Sequence, residues 1–283
     1  MSNVKNIKSI DISSATIIGT GLNILFSIIA AIVLLLGVSI IGGWNAFSGF
    51  ITIACGLVFG TMIYCVFQIF AECYLYNILV KKLNPVSLTI KDNKYIEKVS
   101  VMSTAILGAV TSTIIMVIVY LASIFGIMML SSGILQTLMY AGQFELAMTV
   151  YQLISIFSSP ITAVVLILLM FISVFVAVAI GLYIFNFLTD KIGPIDVTLT
   201  QEGSMTSIDY VNPKNIAIIT ALISLIINVI FGIITAIGSG DFVIILINGV
   251  SGFISSFIGM ALIVIFYNFL SKKLGTLKIE LAE

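Results

Sequence analysis

The sequence predicts an α-helical polytopic membrane protein. Six transmembrane helices would be arranged as three strand–helix–helix–strand repeats, with a small cytoplasmic antiparallel β-sheet. Three observations predict this. First, the 283-residue chain is 60% hydrophobic and 8% charged, far below the ~25% charge of soluble domains, so its natural solvent is lipid. Second, every lysine falls on one side of the apolar runs. Third, one stretch is written three times: YNILVKKLNPVSLTI (Tyr76–Ile90), FNFLTDKIGPIDVTL (Phe185–Leu199) and YNFLSKKLGTLKIEL (Tyr267–Leu281).

Crossing the hydrocarbon layer takes about 20 apolar residues. Runs of that length lie near 15–37, 49–79, 104–126, 161–188, 214–238 and 250–270. The second and fourth are long enough that they must tilt or project. Lys5 and Lys8 precede the first span. Lys81, Lys82, Lys91, Lys94 and Lys98 separate the second and third, and Lys191 and Lys214 separate the fourth and fifth. Lys272, Lys273 and Lys278 follow the sixth. The connections 38–48, 127–160 and 239–249 hold no lysine. Positive residues stay inside, so both termini and the even-numbered connections are expected in the cytoplasm. Lys5 and Lys8 precede an apolar run too long for a signal core, and no A-x-A cleavage site follows. In the first outer connection, Trp44 reads as an interfacial anchor.

The three stretches align without a gap. Asn77, Asn186 and Asn268 coincide, and Asn84, Gly193 and Gly275 follow at one position, as residues able to end a helix in the left-handed conformation. The pattern then changes to strand alternation, as in Val86, Leu88 and Ile90 against Ser87 and Thr89. The unit's beginning also repeats, in IDISSATIIG (Ile10–Gly19), VSVMSTAILG (Val99–Gly108) and IDYVNPKNIA (Ile208–Ala217). Ser14, Ser103 and Asn212 fall at one position in that alignment and are expected to cap the spans. Repeat boundaries follow at 1–91, 92–202 and 203–283. KDNK (Lys91–Lys94) and QEGS (Gln201–Ser204) supply turns between the units. Six short strands must then pair, as one sheet or a small closed ring.

The unit resembles a family of two-span membrane proteins of unknown function, best known from actinobacteria. FNFLTDKIGPIDVTLTQE and YVNPKNIAIITALISLI carry the likeness most clearly. It extends over nearly the whole chain, taken three times. Three tandem copies, and a Pro in place of a second Gly, depart from that family's usual pattern. The resemblance implies a shape; it brings no catalytic or binding residues.

Candidate functional residues are few. Asn77, Asn186 and Asn268 lie near the inner membrane surface and could form a polar ring about a pseudo-threefold axis, or tether each helix end. Glu72 is the one acidic residue deep in an apolar run, with Gln68 one turn away on the same face. The second unit carries extra chain outside, where FELAMTVYQLISIF predicts an amphipathic helix near 143–157. GLVFG (Gly56–Gly60) and the pair Gly252/Ser256 mark small-residue packing faces. The cysteines Cys55, Cys65 and Cys73 have no metal or redox spacing.

The chain lacks His and Arg, and its formal net charge is zero. No paired carboxylates, metal cluster or nucleophile–base constellation stands out. An enzyme, a cofactor and a nucleic-acid partner are therefore not expected. The expected function is a non-enzymatic scaffold or subunit of a cell-membrane complex. It would bind a protein partner, or a second copy of itself, through the sheet or the outer loop. The alternative is a channel, transporter or lipid-handling protein built about the pseudo-threefold axis.

Overall fold

In a computed structural model, residues 2–282 are described, with side chains except at 44–49 and 127–130, where the expected anchor Trp44 falls. The elements run β1 (Ser2–Ile10), α1 (Ile12–Leu79), β2 (Val86–Lys91), β3 (Tyr95–Val99), α2 (Val101–Tyr140), α3 (Phe144–Ser158), α4 (Pro160–Ile192), β4 (Ile195–Glu202), β5 (Met205–Val211), α5 (Pro213–Ser239), α6 (Val243–Leu274) and β6 (Leu277–Ala282).

Six helical segments among the described residues are long and apolar enough to cross a membrane: Ile12–Gly43, Phe50–Leu79, Val101–Gly126, Pro160–Ile192, Pro213–Ser239 and Val243–Leu274. The chain is a multi-pass membrane protein. The sixth segment starts at Val243, earlier than the expected run at 250–270. The first two segments lie in one 68-residue stretch that breaks at Gly43, which is outside helical geometry (φ 66°, ψ −166°). At 1.5 Å per residue a straight helix of that length would be roughly 100 Å long. Yet Ile10, just before α1, is hydrogen-bonded to Asn77 near its far end. The chain therefore doubles back as a hairpin.

The strands form a closed barrel in the order β1-β2-β3-β4-β5-β6, with every neighbour antiparallel. Of the two expected pairings, the simple sheet is not found and the small closed ring is: β1 pairs with β6, placing Ser9 opposite Glu280 and Ile10 opposite Ile279. Closure leaves no exposed edge. The registers fall into two recurring patterns. Ile7 faces Val86, Ile96 faces Ile195 and Ile208 faces Leu277. At the other three junctions Ile10 faces Ile279, Val99 faces Leu88 and Val211 faces Val197. The alternating apolar residues fill the barrel: Ile90 and Val197 are each 2% exposed, and Val86, Ile195 and Ile279 are also buried. Six strands enclose less space than the eight that side chains can just fill.

Turn chemistry fits the expected positions. Asp92 and Asn93 both take φ 53°, with Lys94 N–H donating to Lys91 O at 3.0 Å, the two-residue turn that matches strand twist. Gly203 takes φ 65° in the second turn. Gly193 and Gly275 end their helices at φ 121° and 100°. Asn84 does not take a positive φ, because an L-residue before proline is pushed toward extended backbone whereas glycine is freer.

The caps differ from expectation in two hairpins of three. Asp11, not Ser14, caps α1, accepting from Ser14 N at 2.8 Å. Helix α2 starts at Val101, so Ser100 rather than Ser103 stands before it. Asn212 caps α5 as expected, with Pro213 next. Asp11, Ser100 and Asn212 therefore each stand just before an outgoing span, and the third does so three residues away from its place in the ungapped alignment.

By packing, the chain divides into two compact units, Met1–Ser103 with Ile180–Glu283, and Thr104–Ala179. The first holds the barrel, α1, α5 and α6. In it Ile18, Tyr267 and Leu270 form a buried cluster with Leu22, Leu25, Ile208, Val211 and Leu277. The α5–α6 hairpin packs through small residues: a Cβ on Gly252 would lie 2.5 Å from Asn228 Nδ2, and one on Gly232 would lie 2.9 Å from Ile245 Cα. Gly56 and Gly60 instead face open space within the chain. The second unit holds α3, at the place expected of the amphipathic helix. Its Phe144, Leu146, Met148, Tyr151 and Leu153 are exposed and Ala147 is buried. Tyr120 O–H in α2 donates to Phe157 O in α3.

Candidate functional site

The repeated asparagines converge on the junction between spans and barrel. Asn77 accepts from Ile10 N–H and donates to Ile10 O, both at 2.8 Å. Asn186 does the same with Val99, at 2.9 and 2.8 Å. Asn268 does the same with Val211, at 3.0 and 2.8 Å. An amide side chain carries one acceptor and one donor group, as a peptide does. Each asparagine thus adds a two-bond rung to the last residue of the strand leading into its own hairpin. The geometry is that of a tether: the carbonyl oxygens and amide nitrogens are engaged with backbone.

Neighbouring side chains on the same helix face reinforce the rung. Tyr76 O–H donates to Ile7 O at 2.8 Å, and Tyr267 O–H donates to Ile208 O. Thr189 Oγ1 donates to Glu97 O at 2.7 Å and Ser271 Oγ donates to Asp209 O at 3.2 Å. These residues stand one before and three after the asparagine, so the pair is spaced i, i+4 on one face. The sequence held this signal, since Tyr76 and Tyr267, and Thr189 and Ser271, recur at those offsets. Phe185 and Val80 are the two apolar exceptions.

A second set of bonds joins successive hairpins. Asp11 N–H donates to Lys278 O, Ser100 N–H to Ser87 O and Asn212 N–H to Asp196 O, each at 2.9 Å. Ser14 lies in the first turn of α1, where its Oγ accepts from Lys278 N–H at 3.1 Å. Each span that leaves the barrel is therefore held at its start by a strand of the neighbouring hairpin, and each span that returns is held by its asparagine.

Gln68 and Glu72 meet each other, with Gln68 Nε2 donating to Glu72 Oε1 at 2.9 Å. The structure does not bring them to the asparagines through any hydrogen bond among the described residues. Cys55, Cys65 and Cys73 are free thiols. Among the described residues no three His, Cys, Asp or Glu side chains gather in a way that would hold a metal ion.

Charges on the strands are largely paired. Lys94 lies 3.7 Å from Asp196, Lys98 lies 3.1 Å from Asp190 and Lys278 lies 2.7 Å from Glu202. The Lys278 ammonium, through that hydrogen bond and its charge, lowers the Glu202 carboxyl below its ordinary range, and Glu202 in turn raises Lys278. Compared with known proteins, the chain matches no family model, no curated protein and no solved structure.

Proposed function

We propose that this protein is a non-enzymatic membrane scaffold, a subunit that holds a rigid platform at the cytoplasmic face for a protein partner. The observation that carries this reading is the closed, filled barrel clamped to its hairpins by three asparagine rungs. With Ile90, Ile195, Val197 and Ile279 buried, the barrel interior favours a platform over a conduit. The asparagine amides are spent on backbone, which favours tethers over a pore-lining ring. The platform has three hairpin modules, each a strand, two spans and a strand. Their recurring registers support one unit present three times, akin to the two-span family named above.

Orientation rests on the lysines. All of them lie on or beside the barrel, at the barrel end of the spans, so the barrel and both termini face the cytoplasm. Single cysteines at Asn93 and Gly203, in a background without native cysteines, will resist an impermeant thiol reagent in intact cells. One at Gly240 will react. The reverse pattern overturns the orientation.

The function is tested by purification from the native membrane in mild detergent, with crosslinking. A stoichiometric protein partner whose crosslinks map to strand turns is the expected result. A solitary protein that conducts ions or solute in liposomes refutes the scaffold.

A further inference from the structure

One cavity of about 610 Å³ opens where α1 returns to the barrel, lined by Asn77, Lys81 and Pro85 on the span side and by Lys8, Ser9 and Glu280 on the strands. Its volume falls in the range of small-molecule sites. It lies beside the last turn of the Phe50–Leu79 segment, and the ends of membrane spans are where lipid headgroups are met. Among the described residues, neither Lys8 nor Lys81 has a carboxylate partner, whereas Lys91, Lys94, Lys98 and Lys278 each have one.

The second hairpin shows what the first lacks. Lys98 faces Thr89 across the β2–β3 seam as Ser9 faces Glu280 across the β6–β1 seam. Asp190 follows Asn186 at the offset at which Lys81 follows Asn77. There Lys98 and Asp190 join in an ion pair at 3.1 Å, so the corresponding place carries its own counter-ion. In the first hairpin a lysine stands in place of that aspartate, and a second lysine stands on the strand. Two cations left without a counter-ion at headgroup depth call for a phosphate. Glu280 adds the second half of the recognition. Its Oε2 accepts from Ser9 Oγ at 2.8 Å, and its other oxygen accepts no hydrogen bond among the described residues.

We propose that this cavity binds the headgroup of a phospholipid that carries a primary amine beside its phosphate, with the phosphate on Lys8 and Lys81 and the ammonium on Glu280. The lipid, rather than a soluble phosphoamine, is assigned because the site sits at the end of a membrane span.

Native mass spectrometry of the delipidated full chain tests this. The probes are phosphatidylethanolamine, phosphatidylcholine, phosphatidylglycerol and soluble glycerophosphoethanolamine. Phosphatidylethanolamine binds about tenfold more tightly than phosphatidylcholine, whose quaternary ammonium has no N–H to donate to a carboxylate. Glu280→Gln removes most of that preference. Lys8→Gln with Lys81→Gln weakens both lipids about tenfold, while Lys98→Gln leaves binding unchanged. Equal binding of the amine and choline lipids overturns the proposal, as does tighter binding of phosphatidylglycerol. Soluble headgroup binding as tightly as the lipid overturns the lipid assignment. If a variant fails to fold, the lipid series on the unmodified chain still decides.

Discussion

Replacing Asn186 with Ala removes two hydrogen bonds at once, from Val99 N–H at 2.9 Å and to Val99 O at 2.8 Å. Both orphaned groups belong to a strand end in a partly buried junction. A net hydrogen bond contributes about 0.5–1.5 kcal/mol, and a buried group left unpaired costs about 1–3 kcal/mol. The junction is partly open to water, so the lower part of that range applies, giving a loss of about 2–3 kcal/mol for the pair. Asn186→Asp keeps the acceptor but turns the donor into a second acceptor facing Val99 O, and is expected to cost at least as much. The control is Asn23→Ala, because among the described residues Asn23 Nδ2 donates only to Gly19 O of its own helix, on an exposed face, at 2.9 Å. It is expected to stay within about 0.5 kcal/mol of wild type. Equilibrium unfolding in mixed detergent micelles, followed by far-UV circular dichroism, reads all three. The three rungs lie in separate strands and share no partner, so their losses should add. The triple alanine variant then loses about 6–9 kcal/mol against a typical total of about 5–15, and should not assemble the barrel. If Asn186→Ala and Asn186→Asp both unfold with the Asn23→Ala control, the tether reading is wrong.

Gly252→Ala places a methyl 2.5 Å from Asn228 Nδ2, on a side chain already bonded to Ser224 O at 2.8 Å. Overpacking of that kind costs about 1–3 kcal/mol, read by the same unfolding assay, whereas Gly56→Ala, in open space, should leave stability unchanged. Tyr267→Phe loses one bond to Ile208 O and should cost about 1 kcal/mol; Phe185, at the equivalent place, shows that the fold tolerates the loss. Lys278 holds the folded-state Glu202 carboxyl below its unfolded value, so their pairing contributes fully above the ordinary glutamate range and is lost as pH falls through the lowered midpoint. A carbon-13 titration of Glu202 should show that depressed midpoint, and Lys278→Gln should restore the ordinary one; a midpoint that does not move refutes the assignment.

Much of the architecture was legible because membranes leave few choices. Spans needed only length and apolarity, and the strand segments Val86–Lys91, Ile195–Glu202 and Leu277–Ala282 followed from alternation beyond each helix end. The choice between an open sheet and a closed ring was not legible, since closure depends on β1 meeting β6, and Ser9 and Glu280 are 271 positions apart. No local pattern encodes such a meeting; the register is set when six strands arrive together. The caps failed for a different reason. Asp11 and Ser14 are both competent caps in one short stretch, and they are told apart only at the β6–β1 seam, where Asp11 N–H donates to Lys278 O and Ser14 Oγ accepts from Lys278 N–H. The candidate site was half legible. The recurrence of asparagine marked the junction, but only the distances separate a tether from a ring.

Closure also bears on why three hairpins belong in one chain. One hairpin supplies a two-stranded ribbon, β1 with β2 for example, and such a ribbon alone is marginal and has two open edges. Those edges would lie beside the membrane, where unpaired backbone is costly. A second ribbon pairs two of the four edges and still leaves two open. The third returns the last strand to the first, as β6 meets β1, and every strand then has two neighbours. The bonds divide in the same way: asparagine rungs act within a hairpin, while cap-to-strand bonds from Asp11, Ser100 and Asn212 act between hairpins. On the proposed reading of one unit taken three times, neither set suffices alone. The first makes each hairpin a module, and the second makes the ring, so a single span leaving the membrane would be felt at both neighbouring seams.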